Sequence, residues 1–252
     1  LYFAKRGQPR WAALWLGIGG CFKNFPLLFL IPLLIVFGKS WRERLVQLAV
    51  GTLPYLVFMA PFLGASRRSI GGYSNWYFRA SYDLGFGAQV YLFVVFYAIL
   101  LWYLYRRQAH TFEDLWRACF AILLVYFQFS YFDLHYWVWV IPFATIYWAE
   151  YTRQSRPFYL AILAGLLVLS VPTPLARFLA PISPRFFLRL PSLMEVLNPY
   201  LPMLFIVNVV RSLLAGTCFY LAWLLLRKMP ASRRGATQPA PGQAPGVEGS
   251  GS

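Results

Sequence analysis

The chain has 252 residues, of which 60% are hydrophobic, 20% aromatic and only 12% charged, with a net charge of +15 and a mean hydropathy of +0.55. A soluble domain is nearer half apolar and about a quarter charged, so the composition argues against a water-soluble globule and for a multi-span α-helical membrane protein, whose segments each satisfy their own backbone in lipid. The basic excess does not indicate nucleic acid, because the cations punctuate apolar runs of membrane length where a nucleic-acid stripe would be continuous.

In chain order, the opening LYFAKRGQPR is basic and has neither a secretory leader pattern nor a starting Met, so it reads as the front of a fragment. Residues 11–37 then separate two basic clusters, Lys5, Arg6 and Arg10 from Lys39, Arg42 and Arg44. Two full spans need about 40 residues. The shorter run therefore predicts a hairpin of two half-spans, each rising about 18 Å at 1.5 Å per residue, with Lys23-Asn24-Phe25-Pro26 at its tip. Irregular backbone at membrane depth is tolerated only beside protein or a water-filled cavity, so Lys23 is expected to mark a cavity.

Residues 45–63 and 88–105 read as an outward and a returning span joined by an outer loop, and 118–132 with 136–150 as a second short pair turning at Asp133-Leu134-His135. Residues 158–172 and roughly 202–226 form the last pair, joined by a Pro-rich outer segment suited to short interfacial helices. The expected fold is thus an all-α integral membrane bundle of about eight hydrophobic segments, including one or two short hairpins. The transmembrane domain covers residues 1–230, and the Pro/Gly/Ser-rich residues 231–252 form a disordered tail. Cys21, Cys119 and Cys218 lie in apolar runs without metal-ligand spacing, as small core residues do.

Charge sets the orientation. The clusters named above, together with Arg106, Arg107, Arg117, Arg153, Arg156, Arg227, Lys228, Arg233 and Arg234, fall on one side, which the positive-inside rule makes cytoplasmic. The C-terminus is then cytoplasmic too. Eight cations remain elsewhere: Lys23, Arg67, Arg68, Arg79, Arg177, Arg185, Arg189 and Arg211. Only Asp83, Asp133 and Glu195 accompany them. An outer excess of cations suits an anionic partner, and phosphate is the natural one, since Arg offers a fork of donors and Lys a point charge. For any single arginine, snorkelling to outer-leaflet head groups is the simpler reading. Lys23, at an embedded tip, has the strongest claim to function, and Arg211 follows, inside the last apolar run with Asn208 on the same face. Asp133 and His135 could exchange protons near neutral pH, although Asp133 would serve as well to cap a helix. Glu113 and Asp114 fit a helix start.

Two stretches then look familiar. GIGGCFKNFPLLFLIPLLI resembles the Lys-x-x-Pro segment of GT-C glycosyltransferases of the bacterial family 87 type. FQFSYFDLHYWVWVIPF is similar to the later motif of the same enzymes and of the glycosylphosphatidylinositol mannosyltransferase I group, with His135, Tyr136, Trp139 and Pro142 at the matching positions. The resemblance implies a GT-C-like bundle in the bacterial plasma membrane that moves a hexose, often mannose, from a polyprenyl-phosphate donor to a glycan or lipid acceptor at the outer face. It implies that Lys23 and Arg211 hold the donor phosphate and that His135, Tyr136 and Trp139 line the cavity. The family's base is a carboxylate in the first outer loop, expected upstream of Leu1; Asp133 and Asp83 are the substitutes within this chain. No metal ligands or cofactor are indicated, and a divalent metal stays an open question. Besides the donor and acceptor, membrane lipids are the expected partners. A polytopic transporter, a lipid flippase, or a non-catalytic subunit that binds lipid phosphate are the competing readings.

Overall fold

The computed structural model describes residues 1–62, 81–85, 88–108, 111–129, 139–151, 183 and 193–227. These residues are mostly helical. A short α1 (Tyr2–Lys5) leads into α2 (Pro9–Phe22), which begins on a proline at a position where the missing N–H costs nothing. α2 stops where expected: Lys23 is extended, with φ −151° and ψ 134°, and its amide closes on the Gly19 carbonyl at 3.1 Å. The chain doubles back through a 3-10 helix (Phe25–Phe29) into α3 (Leu30–Phe37). Gly19 and Gly20 make the reversal tight. A Cβ on Gly19 would touch the Pro26 ring at 3.4 Å, and one on Gly20 would meet Leu27 Cγ at 2.8 Å. The predicted hairpin with its tip at Lys23-Asn24-Phe25-Pro26 is present.

α4 (Trp41–Met59) starts on a side-chain cap, in which the Glu43 amide donates to Ser40 Oγ at 3.2 Å, and the Lys39 amide, one residue before the cap, donates to Glu43 Oε2 at 3.1 Å. It crosses α2 through small residues: a Cβ on Gly17 would strike the Gly51 carbonyl oxygen, and one on Gly51 would come within 3.2 Å of the Ala13 carbonyl oxygen. Backbones approach this closely at small-xxx-small contacts. The helix is arranged inside out. Its buried residues are Gln47 and Gly51, whereas Leu45, Val46, Leu48, Leu53, Leu56, Val57 and Phe58 are exposed.

Two strands, β1 (Ser81–Gly85) and β2 (Ala88–Tyr91), pair antiparallel with Tyr82 opposite Val90 and Asp83 opposite Gln89. They correct the all-α expectation, and they shorten the expected span 88–105, because the helix after them, α5, is Leu92–Arg106. Next, α6 (Phe112–Phe129) begins six residues earlier than the predicted 118–132. The cause is a cap: Thr111 Oγ1 accepts from the Asp114 amide at 3.1 Å, while Asp114 Oδ2 accepts from the Thr111 amide at 3.2 Å and its hydroxyl at 2.8 Å. The helix-start role expected for the Glu113-Asp114 pair thus falls to Asp114. α6 is the centre of the core, buried from Asp114 to Phe127. α7 (Ile141–Glu150) packs on it through Phe143 and Phe120, whose rings stack at 6.0 Å. A one-turn helix α8 (Leu193–Leu197) precedes α9 (Met203–Arg227), which lies within a residue of its predicted bounds.

The expected bundle of about eight hydrophobic segments, one or two short hairpins included, is not supported. Among the described residues only α9 is long and apolar enough to cross a membrane by length and composition; Phe25–Phe37 and Leu92–Arg106 are apolar but shorter. For α4 and α6 the physical reason is charge inside the helix, from Arg42, Glu43 and Arg44 and from Glu113, Asp114 and Arg117, all ahead of the expected apolar spans 45–63 and 118–132. The segment 158–172 and the tail 231–252 lie outside the described residues.

Contacts order the two ends of the bundle. At one end, the tip residue Phe25 meets Trp139, the residue two before α7, and Trp139 also meets Phe127 near the end of α6. At the other, the Tyr103 hydroxyl of α5 donates to the Leu226 carbonyl of α9 at 3.3 Å, and Arg117 of α6 donates to Glu150 of α7 at 2.6 Å.

Candidate functional site at the hairpin tip

The tip is built from an aromatic column. Phe25 and Trp139 stack face to face, with centroids 3.7 Å apart and planes 16° from parallel. Phe29, one turn on, meets Phe25 edge-on at 6.0 Å and Phe143 of α7 at 5.8 Å. Each such pair adds about 0.5–1.5 kcal/mol beyond its burial. The column locks the reversal against α6 and α7, and with it the direction in which residues 22–24 leave the bundle.

Lys23 is therefore displayed at a fixed place. Phe22, Lys23 and Asn24 are all exposed, Phe22 to 81%. A cation flanked by exposed apolar surface and amide groups is suited to an amphiphilic anion, whose charge meets the ammonium while its hydrocarbon meets Phe22. Asn24 adds a donor beside it.

The other sequence candidates fall as follows. Trp139 is half-buried and belongs to the column. Arg211 is exposed on α9, eight residues before Phe219, the residue through which α9 meets Phe96 of α5 and Phe129 of α6. At 1.5 Å per residue it stands about 12 Å further along the helix than that contact, toward the end that carries Lys23. Asn208, in the turn before it, is exposed as well, and its carbonyl accepts from Ser212 Oγ at 2.8 Å. Asp83 is exposed on β1. Asp133, His135 and Tyr136 lie outside the described residues, as do Arg67, Arg68, Arg79, Arg177, Arg185 and Arg189. Among the described residues no three His, Cys, Asp or Glu side chains are grouped as metal ligands.

Sequence reasoning missed two polar features. Arg117, counted among the cytoplasmic loop cations, is instead 8% exposed and bonded to Glu150 Oε1 at 2.6 Å and to the Tyr151 hydroxyl at 3.1 Å. That hydroxyl donates in turn to Glu150 at 2.9 Å; burial first, and then this bond, push its pKa up. Gln47 is fully buried at the α2–α4 crossing, with neither side-chain atom hydrogen-bonded. The signal for it was present, since Gln47 precedes Gly51 by one helical turn and the two form a polar and small stripe apart from the leucines of α4.

Compared with protein-family models, with curated proteins and with solved structures, the chain matches none.

Proposed function

We propose that this chain is the membrane-embedded part of a GT-C-type hexosyltransferase, using a polyprenyl-phosphate sugar at the extracytoplasmic face of a plasma membrane. The membrane reading is supported by the inside-out pattern. Leucine, valine and phenylalanine cover the outside of α4, α5 and α9, while Gln47 and glycines fill the α2–α4 crossing. Water would select the reverse arrangement, whereas lipid makes it neutral to expose leucine and favourable to pack small residues. In this reading α2 with α3 forms a pair of half-spans, α4 to α7 and α9 complete a multi-pass bundle, and the end bearing Lys39, Arg106 and Arg227 is cytoplasmic.

One observation carries the functional reading: Phe25 stacks on Trp139. These residues belong to the two motifs in which the chain resembles the GT-C enzymes, and they are far apart in sequence. Their contact is what a shared donor site requires, with Lys23 facing the phosphate and Trp139 holding the tip. In the reaction an acceptor oxygen attacks the anomeric carbon, the bond from that carbon to the phosphate oxygen breaks, and polyprenyl phosphate departs with the electron pair. The acceptor proton passes to a base. Negative charge grows on the phosphate as the bond breaks, so an ammonium fixed beside it lowers the barrier more than it tightens substrate binding. Arg211 would serve as a second cation for the same group.

The test uses full-length protein in membranes, with polyprenyl-phosphate hexose as donor. Lys23→Ala should lower transfer about 10²–10³-fold, the size of effect seen when one transition-state donor is removed, with unchanged expression and thermal stability. Lys23→Arg should recover part of it. Wild-type transfer in Lys23→Ala would refute the phosphate role. Movement of the donor across the bilayer without transfer would favour a flippase, and donor binding with neither would favour a non-catalytic subunit.

A further inference from the structure

The opposite end of the bundle carries a second arrangement of cations. α5 and α9 both finish there, and the hydrogen bond from the Tyr103 hydroxyl to the Leu226 carbonyl ties their last turns together. Three arginines occupy this junction, and each is folded back over an aromatic ring one turn earlier on its own helix. The Arg106 guanidinium lies 5.7 Å from the Trp102 ring, Arg107 lies 4.9 Å from Tyr103, and Arg227 lies 5.2 Å from Trp223. A guanidinium over a ring is attracted to the ring's negative face while its remaining donors stay available, and a cation in a last turn is also favoured by the helix dipole. Neither α5 nor α9 contains an acidic residue.

The rings themselves face outward. Trp102 is 61% exposed, Trp223 50% and Tyr105 57%, with Tyr220 beside Trp223. Tryptophan and tyrosine at this density mark the level where hydrocarbon gives way to head groups. Guanidiniums at the edge of such a belt meet phosphodiesters, which they bind through two parallel N–H bonds.

We propose that the joined C-terminal ends of α5 and α9 form a binding site for the head group of an anionic phospholipid. The inference rests on the membrane reading above, with this end cytoplasmic, but not on the transferase reading. The phosphodiester sits across Arg106 and Arg227, Arg107 adds charge beside it, and the acyl chains run along Trp102 and Trp223 toward the apolar faces of the two helices. The sequence continues the same charge with Lys228, Arg233 and Arg234.

The test is binding of phosphatidylglycerol and phosphatidylcholine to the purified full-length protein in neutral detergent, titrated by native mass spectrometry. Each basic residue near a charged lipid surface is worth about fivefold in affinity. Phosphatidylglycerol should therefore bind better than phosphatidylcholine by on the order of a hundredfold, and the triple variant Arg106→Gln, Arg107→Gln, Arg227→Gln should abolish the preference. These side chains lie at helix ends and on the surface, so circular dichroism should stay unchanged. Lys39→Gln with Arg42→Gln, on the α3–α4 turn, should leave the preference intact. Equal binding of the two lipids, loss of preference in the Lys39 and Arg42 variant as large as in the triple variant, or displacement of the lipid by millimolar inorganic phosphate would each overturn the site. Release of the protein from membranes by alkaline carbonate would overturn the membrane reading beneath it. Hexosyl transfer is not the readout, so its absence leaves this proposal standing.

Discussion

Replacing Gly17 by alanine tests whether the α2–α4 crossing is a backbone-to-backbone contact. The added methyl would strike the Gly51 carbonyl oxygen and lie 2.9 Å from the Gly51 carbonyl carbon and 3.3 Å from Pro54 Cδ. Carbon atoms pack at about 3.5–4.0 Å, so the helices must part by roughly half an ångström or more. None of these obstacles can rotate away: two are backbone atoms, and the third belongs to a ring. Overpacking of this kind costs about 1–3 kcal/mol, and the immovable neighbours put Gly17→Ala toward the upper end. For a chain of this length about 1 kcal/mol corresponds to roughly 2–4 °C in Tm, so a fall of about 5–10 °C is expected by thermal unfolding in detergent. Two comparisons isolate the cause. At Gly51 a Cβ would meet Leu30 Cδ1 at 2.6 Å, the far end of a side chain that can turn, so Gly51→Ala should cost less. Gly216, on α9, has nothing within 4 Å of its Cβ position, and Gly216→Ala should be neutral or stabilising by up to about 1 kcal/mol through helix propensity. Equal Tm values for Gly17→Ala and Gly216→Ala would refute the close crossing.

Two further outcomes follow from single features. Gln47→Met keeps the length of the side chain and removes two buried polar atoms that have no hydrogen bond; it should raise stability by about 1–2 kcal/mol, within the known cost of an unsatisfied buried group. A lower Tm would show that the amide is satisfied by a trapped water. For the tip, a double-mutant cycle of Phe25→Leu and Trp139→Leu should return a coupling of about 0.5–1.5 kcal/mol in thermal stability, and additive effects would argue that the 3.7 Å stack contributes nothing specific.

Much of this architecture was legible in the sequence because a few residues have only one physical use. Two prolines and the shortness of residues 11–37 forced a break at the Lys23 tip, and the uninterrupted apolar run before Arg227 defined α9. The pairing of Ser81–Gly85 with Ala88–Tyr91 was missed although the sequence Gly-Phe-Gly stands between Tyr82 and Val90, a pattern short strands share with loops. The helices α4 and α6 begin earlier than the expected spans 45–63 and 118–132, because Ser40 with Glu43 and Thr111 with Asp114 cap helices that start inside the charged stretches, as expected for Glu113 and Asp114. Arg117 shows the limit of counting, since only a fold can bring Glu150 within 2.6 Å of it. Of the candidate site, sequence singled out Lys23 and Trp139 separately, while their proximity through Phe25 depends on how α6 and α7 pack against the hairpin.

The glycines of α2 connect these levels. Gly17, Gly19 and Gly20 stand near the end of a 14-residue helix, where each costs about 0.8–1 kcal/mol relative to alanine. A helix that had only to cross lipid would do better with alanine at all three. Two are instead matched by a neighbour that a Cβ would displace, Gly51 for Gly17 and Leu27 for Gly20, while a Cβ on Gly19 would make an ordinary contact with Pro26 at 3.4 Å. The first match fixes α2 on α4, and the second folds the 3-10 segment onto the last turn of α2. Phe25 is then carried to Trp139 and Lys23 to the end of the bundle. The position of the tip thus follows in part from the side chains absent at Gly17 and Gly20, and the local instability they introduce is offset when the hairpin is closed. A closed hairpin is also the state in which the backbone of Lys23 is held at the end of the bundle, its amide bonded to the Gly19 carbonyl.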